Sequence, residues 1–257
     1  MTSLHEKGYA LPNAAEGTRE RLDLLEACHD PSSRRRAAAL GVGPGWRCLE
    51  AGAGGGSFAR WLAERVGETG HVVAADLDVR LLEDAEGVEP WQMDLAKEEL
   101  PRAEFDFVHT RLLLLHVPER DEVLAKLAAA LRPGGVLLIE EDDINPVTST
   151  ATGDYAEAWR FFLAAMEAAG TDPEWARDLP GRVDALGLED VEAELVGQIF
   201  RGGAPAARFW SMTWDHVRER IEAMGLPWES VEAGQAALAD PARWFHGPVR
   251  VGAWGRA

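Results

Sequence analysis

Basic residues are a minority, cysteine is nearly absent and no apolar run approaches membrane-spanning length. Each shortage excludes something. Lys and Arg total 26 against 44 Asp and Glu, a formal charge of -18, and no basic stripe stands out. A domain that grips nucleic acid through phosphates needs such a stripe, so no nucleic-acid partner is expected. An acidic surface is also repelled by anionic lipid, so no membrane partner is expected. Two cysteines, Cys28 and Cys48, cannot build a disulfide framework, which suits a reducing, cytoplasmic setting. The opening stretch MTSLHEKGYALPNAAEG lacks the apolar segment of a secretory signal, so none is expected. There is no short repeat and no low-complexity tail. Tyrosine occurs twice, whereas tryptophan occurs ten times, mostly after residue 150.

What is present is an ordinary globular balance: 46% apolar and 27% charged residues in 257. That length suits one large domain. In the first half, short apolar runs alternate with helical patterns. Arg47–Ala51, His71–Ala75, Val88–Met93, Phe105–Thr110 and Val136–Glu140 read as strands. Phe58, Trp61, Leu62 and Val66 mark one helix face; Leu124, Leu127, Ala128 and Leu131 mark another, after Pro118 and before Pro133-Gly134-Gly135. Leu81 and Leu82 suggest a short helix. Strands alternating with helices predict right-handed crossovers and a mainly parallel sheet. Later, Trp159, Phe162, Leu163 and Met166 mark a helix, and a short one ends at Val183–Leu186. Trp210, Trp214, Val217, Ile221 and Met224 predict one long amphipathic helix, and Val191–Phe200 and Val249–Trp254 predict two last strands. The expected organisation is a single domain over 1–257. It has a helical arm over 1–34, a cofactor-binding core over 35–145, and lid helices with the last strands over 146–257.

The central motif is Glu50-Ala-Gly52-Ala-Gly54-Gly-Gly56, between a strand and a helix. Glycines there let the backbone turn sharply and approach a ligand. In a doubly wound sheet, ligands sit outside the strand carboxyl ends near the switch point. Asp76, ending the next strand, is placed to hold two ribose hydroxyls. A dinucleotide fingerprint needs G-x-G-x-x-G, but its third glycine position holds Ser57. No Gly-Lys-Ser/Thr follows, so a Walker loop is excluded. An acid two residues before the first glycine suits a ligand with an ammonium and a carboxylate.

LEAGAGGGS at 49–57, VVAADLD at 72–78, QMDL at 92–95, FDFVHTRLLLLHV at 105–117 and LRPGGVLLIEEDD at 131–143 occur in this order. Together they resemble the class I S-adenosylmethionine-dependent methyltransferases, closely over about 35–145 and in general layout beyond. The resemblance implies a Rossmann-like α/β fold. Its sheet is mainly parallel and seven-stranded, with helices on both faces and a helical lid from the N-terminal arm and late insertions. It implies S-adenosyl-L-methionine as cofactor and S-adenosyl-L-homocysteine as product. By the same resemblance Glu50, Gly52, Ala53, Gly54 and Gly56 wrap the methionine half of the cofactor. Asp76 takes the ribose hydroxyls, Leu77 packs on adenine, Asp94 accepts from the adenine amine, and the Leu95 N–H lies beside it. Thr110 and Arg111 lie next to the methionine part. His116 falls where small-molecule members carry a His facing the methyl. Tyr9 and Arg21 belong to a segment that closes over the cofactor in relatives.

Transfer from a sulfonium needs an in-line nucleophile about 3 Å away and little else. A base matters only when the nucleophile starts protonated. His116 is the first candidate, since its ordinary pKa lies near neutrality. The acidic run Glu140, Glu141, Asp142 and Asp143 is the second, with Glu141 as its representative. Such a run suits Mg²⁺ chemically, but consecutive residues cannot all face one ion, so no metal is expected. Asp94 also reads as a helix cap, Arg111 as a surface ion-pair partner and His116 as a core histidine. Cys48 reads as core. Trp159, Phe162, Trp210, Trp214, Trp228 and Trp244 are candidates for lining a pocket for a flat or greasy small-molecule substrate, or for filling core.

The leading expectation is transfer of a methyl to an oxygen, nitrogen or carbon of a small hydrophobic acceptor resembling a secondary metabolite. The alternative is a protein that binds the cofactor and catalyses a non-methylating reaction such as cyclisation. Nucleic-acid enzymes of the class are disfavoured by the charge, by Thr110-Arg111-Leu112-Leu113 after the fourth strand and by the lack of a Pro-Cys nucleophile. A homodimer through the arm or the late helices is compatible with the pattern, which does not require one.

Overall fold

The computed structural model describes residues 17–83 and 85–257. One seven-stranded sheet runs through it in the order β3-β2-β1-β4-β5-β7-β6. β1 (Arg47–Ala51), β2 (His71–Asp76), β3 (Val88–Gln92), β4 (Phe105–Arg111) and β5 (Leu131–Asp143) are mutually parallel. β7 (Trp244–Arg256) lies between β5 and β6 (Glu189–Arg201) and is antiparallel to both. The chain winds outward from β1 to β3, then restarts at β4 on the other side of β1. The order therefore reverses between β1 and β4, where the strand carboxyl ends leave a crevice.

The strands are apolar on both faces because both faces are covered. Cys48, Val72, Ala74, Phe107, Val136 and Leu138 pack with α2 (Ser57–Val66) and with Ala37 of α1 (Thr18–Ala39). Their neighbours Leu49, Val73, Ala75, Val108, Leu137 and Ile139 point the other way, onto α3 (Arg120–Ala129) and α6 (Leu179–Asp184). A third cluster holds most of the late aromatics. It joins α4 (Asn145–Thr150), α5 (Gly153–Ala168), α7 (Pro205–Asp215), α8 (Arg218–Ala223) and α9 (Trp228–Ala239) to Leu24 of α1. At its centre the Trp159 and Trp210 rings lie 4.4 Å apart between centroids. Of these helices α5 and α7, together with α1, border the crevice.

Three expected helices differ from the structure. The one expected to carry Leu131 ends at Ala129, and Leu131 with Pro133-Gly134-Gly135 belongs to β5. Leu81 and Leu82 lie in a turn, with Leu82 fully buried against the core around α2. The helix expected across 210–224 is broken into α7 and α8. There the His216 ring takes the Met212 carbonyl at 2.8 Å, and Val217 N–H makes a tight bond to the Trp214 carbonyl. The N-terminal helix continues to Ala39, past the expected limit at residue 34. Tyr9 lies outside the described residues. Among those described, no helix is long and apolar enough to cross a membrane.

Candidate active site

A cavity of about 1470 Å³ opens at the carboxyl ends of β1, β2, β3, β4 and β5. Its floor begins with the glycine loop. Gly52 and Ala53 N–H both reach the Ala75 carbonyl, at 2.8 and 3.2 Å, which folds the loop back over β2. Gly52 has φ +73°, and a Cβ there would meet the Leu113 side chain at 3.1–3.2 Å. Only glycine holds that turn without strain or displacement. The result is a backbone-lined cradle of Gly52, Ala53, Gly54 and Gly55.

Three acids line the cavity in the order expected. Glu50 stands at the end of β1, 3% exposed, and burial raises its pKa. Asp76 ends β2, where its Oδ2 accepts the Gly54 N–H at 2.9 Å and its Oδ1 accepts the Asp78 N–H at 3.1 Å. Burial raises Asp76 as well, while those two amides pull it back down. Asp94 follows β3; its Oδ1 accepts the Ala96 N–H at 3.1 Å, and Lys97 pairs with it at 2.6 Å. Asp94 thus both lines the cavity and caps a turn, so the two readings of it coexist. Leu77 and Leu95 lie beside these acids on the wall.

Arg111 also reaches the wall, and it is no surface pair. Its guanidinium donates to Asp30 and Ser33 of α1, each at 2.9 Å, with both charged side chains under a tenth exposed. His116 lines the cavity from the short 3-10 turn Leu114–His116, 3.3 Å from the Thr171 hydroxyl. Burial, then the charges of Arg21 and Arg120, push its pKa down to about 3. The ring is neutral at pH 7, and its affinity for a proton is far below the near-neutral value expected of it.

Three expected site residues are elsewhere. Glu141 is fully buried off the wall, where its Oε1 accepts the Leu113 and Leu114 N–H at 3.1 and 2.7 Å. Burial pushes its carboxyl up to about 8. It clamps the segment after β4 rather than facing a substrate. Thr110 is completely buried and does not reach the cavity wall. Gly56 starts α2, tight against Leu82, and Gly55 takes its place on the wall. Among the described residues no three His, Cys, Asp or Glu side chains come together as a metal site.

The far end of the cavity is apolar. Trp159, Phe162 and Met166 of α5 and Phe209 and Trp210 of α7 form its wall, with Arg21 and Leu25 of α1 opposite the strand ends. Trp214 and Trp228 are core, and Trp244 is 61% exposed on β7. The sequence reading missed Gln92, Leu112, Leu113 and Glu26, which also line the cavity. It also missed His109, buried between Glu50 and Glu140. Its only signal was a histidine, one of two ionisable residues with Asp106, in the mostly apolar run FDFVHT.

The fold and site define an α/β protein that takes a nucleoside ligand at the switch point of its sheet. The methyltransferase domain family matches residues 49–139. Methyltransferase GfsG of Streptomyces halstedii is 30% identical over 195 residues, covering 72% of this chain and 68% of that protein. The ubiquinone/menaquinone biosynthesis C-methyltransferase UbiE of Pseudomonas putida strain GB-1 is 33% identical over 185 residues, covering 67% and 70%. Among solved structures, phosphoethanolamine N-methyltransferase 2 of Haemonchus contortus, with S-adenosylhomocysteine bound, superposes with a TM-score of 0.53 at 19% identity. That match covers 92% of this chain and 52% of that one. The chain belongs to the class I S-adenosylmethionine-dependent methyltransferases, and S-adenosylmethionine is its cofactor.

Proposed function

We propose that the protein methylates a small apolar acceptor through an anionic oxygen or carbon nucleophile. The observation that carries this reading is the cavity. At about 1470 Å³ it exceeds the roughly 300–1,000 Å³ of a single-ligand site. Its polar half is built from Glu50, the glycine cradle, Asp76 and Asp94, and its other half is walled by Trp159, Phe162, Phe209 and Trp210.

The polar half fits the cofactor by donor chemistry. Glu50 suits an ammonium, Asp76 a pair of ribose hydroxyls, and Asp94 with Leu95 an adenine edge. Leu77 offers an apolar face to the base, and Gly52–Gly55 present bare backbone to the cavity. When bound, the cofactor supplies an activated methyl on a sulfonium. The chain's own residues hold the acceptor in line and exclude water, which favours discharge of a cation in a low-dielectric space. α1, α5 and α7 do the excluding. His116, neutral and weakly basic, orients an acceptor oxygen rather than removing a proton from it. This supports acceptors that arrive ionised or readily enolised, and the similarity to UbiE, named as a C-methyltransferase, supports a carbon among them.

Calorimetric titration of S-adenosylhomocysteine into the protein and into Asp76→Ala tests the cofactor half of this reading. Losing the ribose contact should weaken binding at least several-fold, from about 1–3 kcal/mol. Incubation with phenolic and quinol-like acceptors tests the other half by mass. Gain of one methyl with release of S-adenosylhomocysteine supports it. An acceptor that reacts with no gain in mass points instead to a non-methylating use of the cofactor.

A further inference from the structure

Under the cofactor end of the cavity lies a row of buried ionisable groups on three adjacent strands. Glu50 of β1 is the register partner of His109 on β4, and Glu140 of β5 completes the row. The His109 Nδ1 lies 2.6 Å from Glu50 Oε2, and its Nε2 lies 2.9 Å from Glu140 Oε2. All three side chains are 4% exposed or less. A neutral imidazole has one donor and one acceptor nitrogen. With a carboxylate against each nitrogen, the acceptor side would face oxygen lone pairs, unless that carboxyl carries the proton. Either way, the three groups hold two protons in all between the two carboxyls and the ring, one more than two carboxylates flanking a neutral imidazole would hold.

We propose that His109 is a positioning residue for the cofactor: gripping Glu50 from behind while Glu140 balances its charge, it holds the Glu50 carboxylate ionised and aimed at the methionine end of the cavity. The inference rests on the assignment of Glu50 to the cofactor's ammonium. His109 itself does not reach the cavity wall and acts only through Glu50.

The surroundings agree with a cationic ring. The Phe58 ring of α2 lies 4.4 Å from it between centroids, and Phe107 of the same strand stacks nearly parallel to it. The charged groups around the row are Arg111 of β4 and Asp30 of α1, both acting on Glu50, and Arg250 of β7 and Arg111, acting on Glu140. Burial alone would drive the proton off the ring, but Glu50 and Glu140 outweigh it and raise His109 to about 9. The same contacts hold Glu140 down at about 2 against the opposing effect of burial. Without the ring, Glu50 keeps the burial that raises its pKa and loses the largest contact that opposes it, so its carboxyl is displaced further toward the protonated form. A neutral Glu50 no longer attracts an ammonium.

Two measurements test this. In the protein with ¹⁵N-labelled histidine, the His109 ring should show both nitrogens protonated at pH 7.5, assigned by loss of the signal in His109→Gln. A neutral ring overturns the proposal, and this readout from the wild-type protein stands even if the variant folds poorly. The second is the affinity for S-adenosylhomocysteine from pH 6 to 9. Wild type should vary little up to about pH 8.5. His109→Gln should bind about tenfold more weakly at pH 7, the loss of a charge-assisted contact, and recover as pH rises and Glu50 ionises. Affinity within twofold of wild type, or a loss equal at every pH, overturns the proposal. Failure of wild type itself to bind would instead overturn the assignment of the cofactor site.

Discussion

Arg111, at the end of β4, donates to Asp30 in the middle of α1 at 2.9 Å, with both side chains buried. This pair ties the sheet's central crevice to the helix that roofs it. Asp30 is further held by Arg34 at 2.6 Å and by the Ser57 hydroxyl at 2.8 Å, so one acid links α1, α2 and β4.

Arg111→Ala should therefore destabilise the protein by about 3 kcal/mol. That is the low end for breaking a buried pair, because Arg34 and Ser57 keep hold of Asp30. Chemical denaturation measures this. Arg111→Lys should recover only part, since an ammonium does not reproduce the guanidinium's forked reach to Asp30 and Ser33.

Stability should fall as pH rises from 6.5 to 9. His109 is ordinarily near 6.5 and stands at about 9 in the folded state, so the native protein binds the proton more firmly than the unfolded chain. The stabilisation is complete below 6.5 and lost as pH rises through 9, roughly 3 kcal/mol from this group. Glu141, raised from 4.5 to about 8, acts in the same sense over its own window. Glu141→Gln should flatten the slope below pH 8, and His109→Gln should flatten the remainder. Urea midpoints at fixed ionic strength read both; a profile that rises across this range contradicts the assignment.

At pH 7 the Glu141 carboxyl is mostly protonated, so Glu141→Gln should be nearly neutral in stability, keeping an acceptor for the Leu113 and Leu114 amides. Glu141→Ala should cost about 1–3 kcal/mol by leaving those amides unsatisfied. It should also raise the KM for the cofactor more than it lowers kcat, since the loosened segment includes the cavity residues Leu112 and Leu113.

Gly52→Ala should be harmful in two ways. The left-handed φ costs about 1–2 kcal/mol for an L-residue. The added Cβ also pushes Leu113, whose side chain is within 3.1–3.2 Å. Affinity for S-adenosylhomocysteine should drop, and the thermal midpoint with it; an unchanged affinity would separate the loop from the cofactor site.

Trp210→Ala should chiefly affect the acceptor. The ring lines the far end of the cavity, whereas Gly52–Gly55 and Asp76 lie at the other. Cofactor affinity should stay close to that of wild type while acceptor KM rises, as steady-state kinetics with a methylated substrate would show.

The parallel core was readable because its signals are local. A glycine run between an apolar strand and an amphipathic helix, then an acid closing the next strand, gave the turn, the cradle and Asp76. Assigning Glu141 to catalysis failed for a reason of period. Side chains alternate along a strand, so Glu140 faces α1 and α2 with His109, while Glu141 faces the opposite side. Nothing local marks which parity faces which layer. α1 was harder still. Its buried residues include Arg21, His29, Asp30, Ser32 and Ser33; Asp30 and Ser33 take the Arg111 guanidinium and His29 meets Arg250, so part of its inward face is polar. An apolar stripe is what periodicity detects, and α1 has little of one. Trp214, Trp228 and Trp244 show the matching limit: helical or strand spacing does not reveal which aromatic meets a cavity, a core or water.

The placement of β7 between β5 and β6 has a consequence for how the chain is made. β6 pairs only with β7 among the described strands, and β5 has an open edge until β7 arrives. Both strands emerge during synthesis well before their shared partner, with all of α7, α8 and α9 in between. The nascent protein thus carries two unsatisfied strand edges while its helical lobe assembles, the condition under which strands recruit other chains. Truncations that stop short of Trp244 should accumulate as aggregates rather than as soluble fragments.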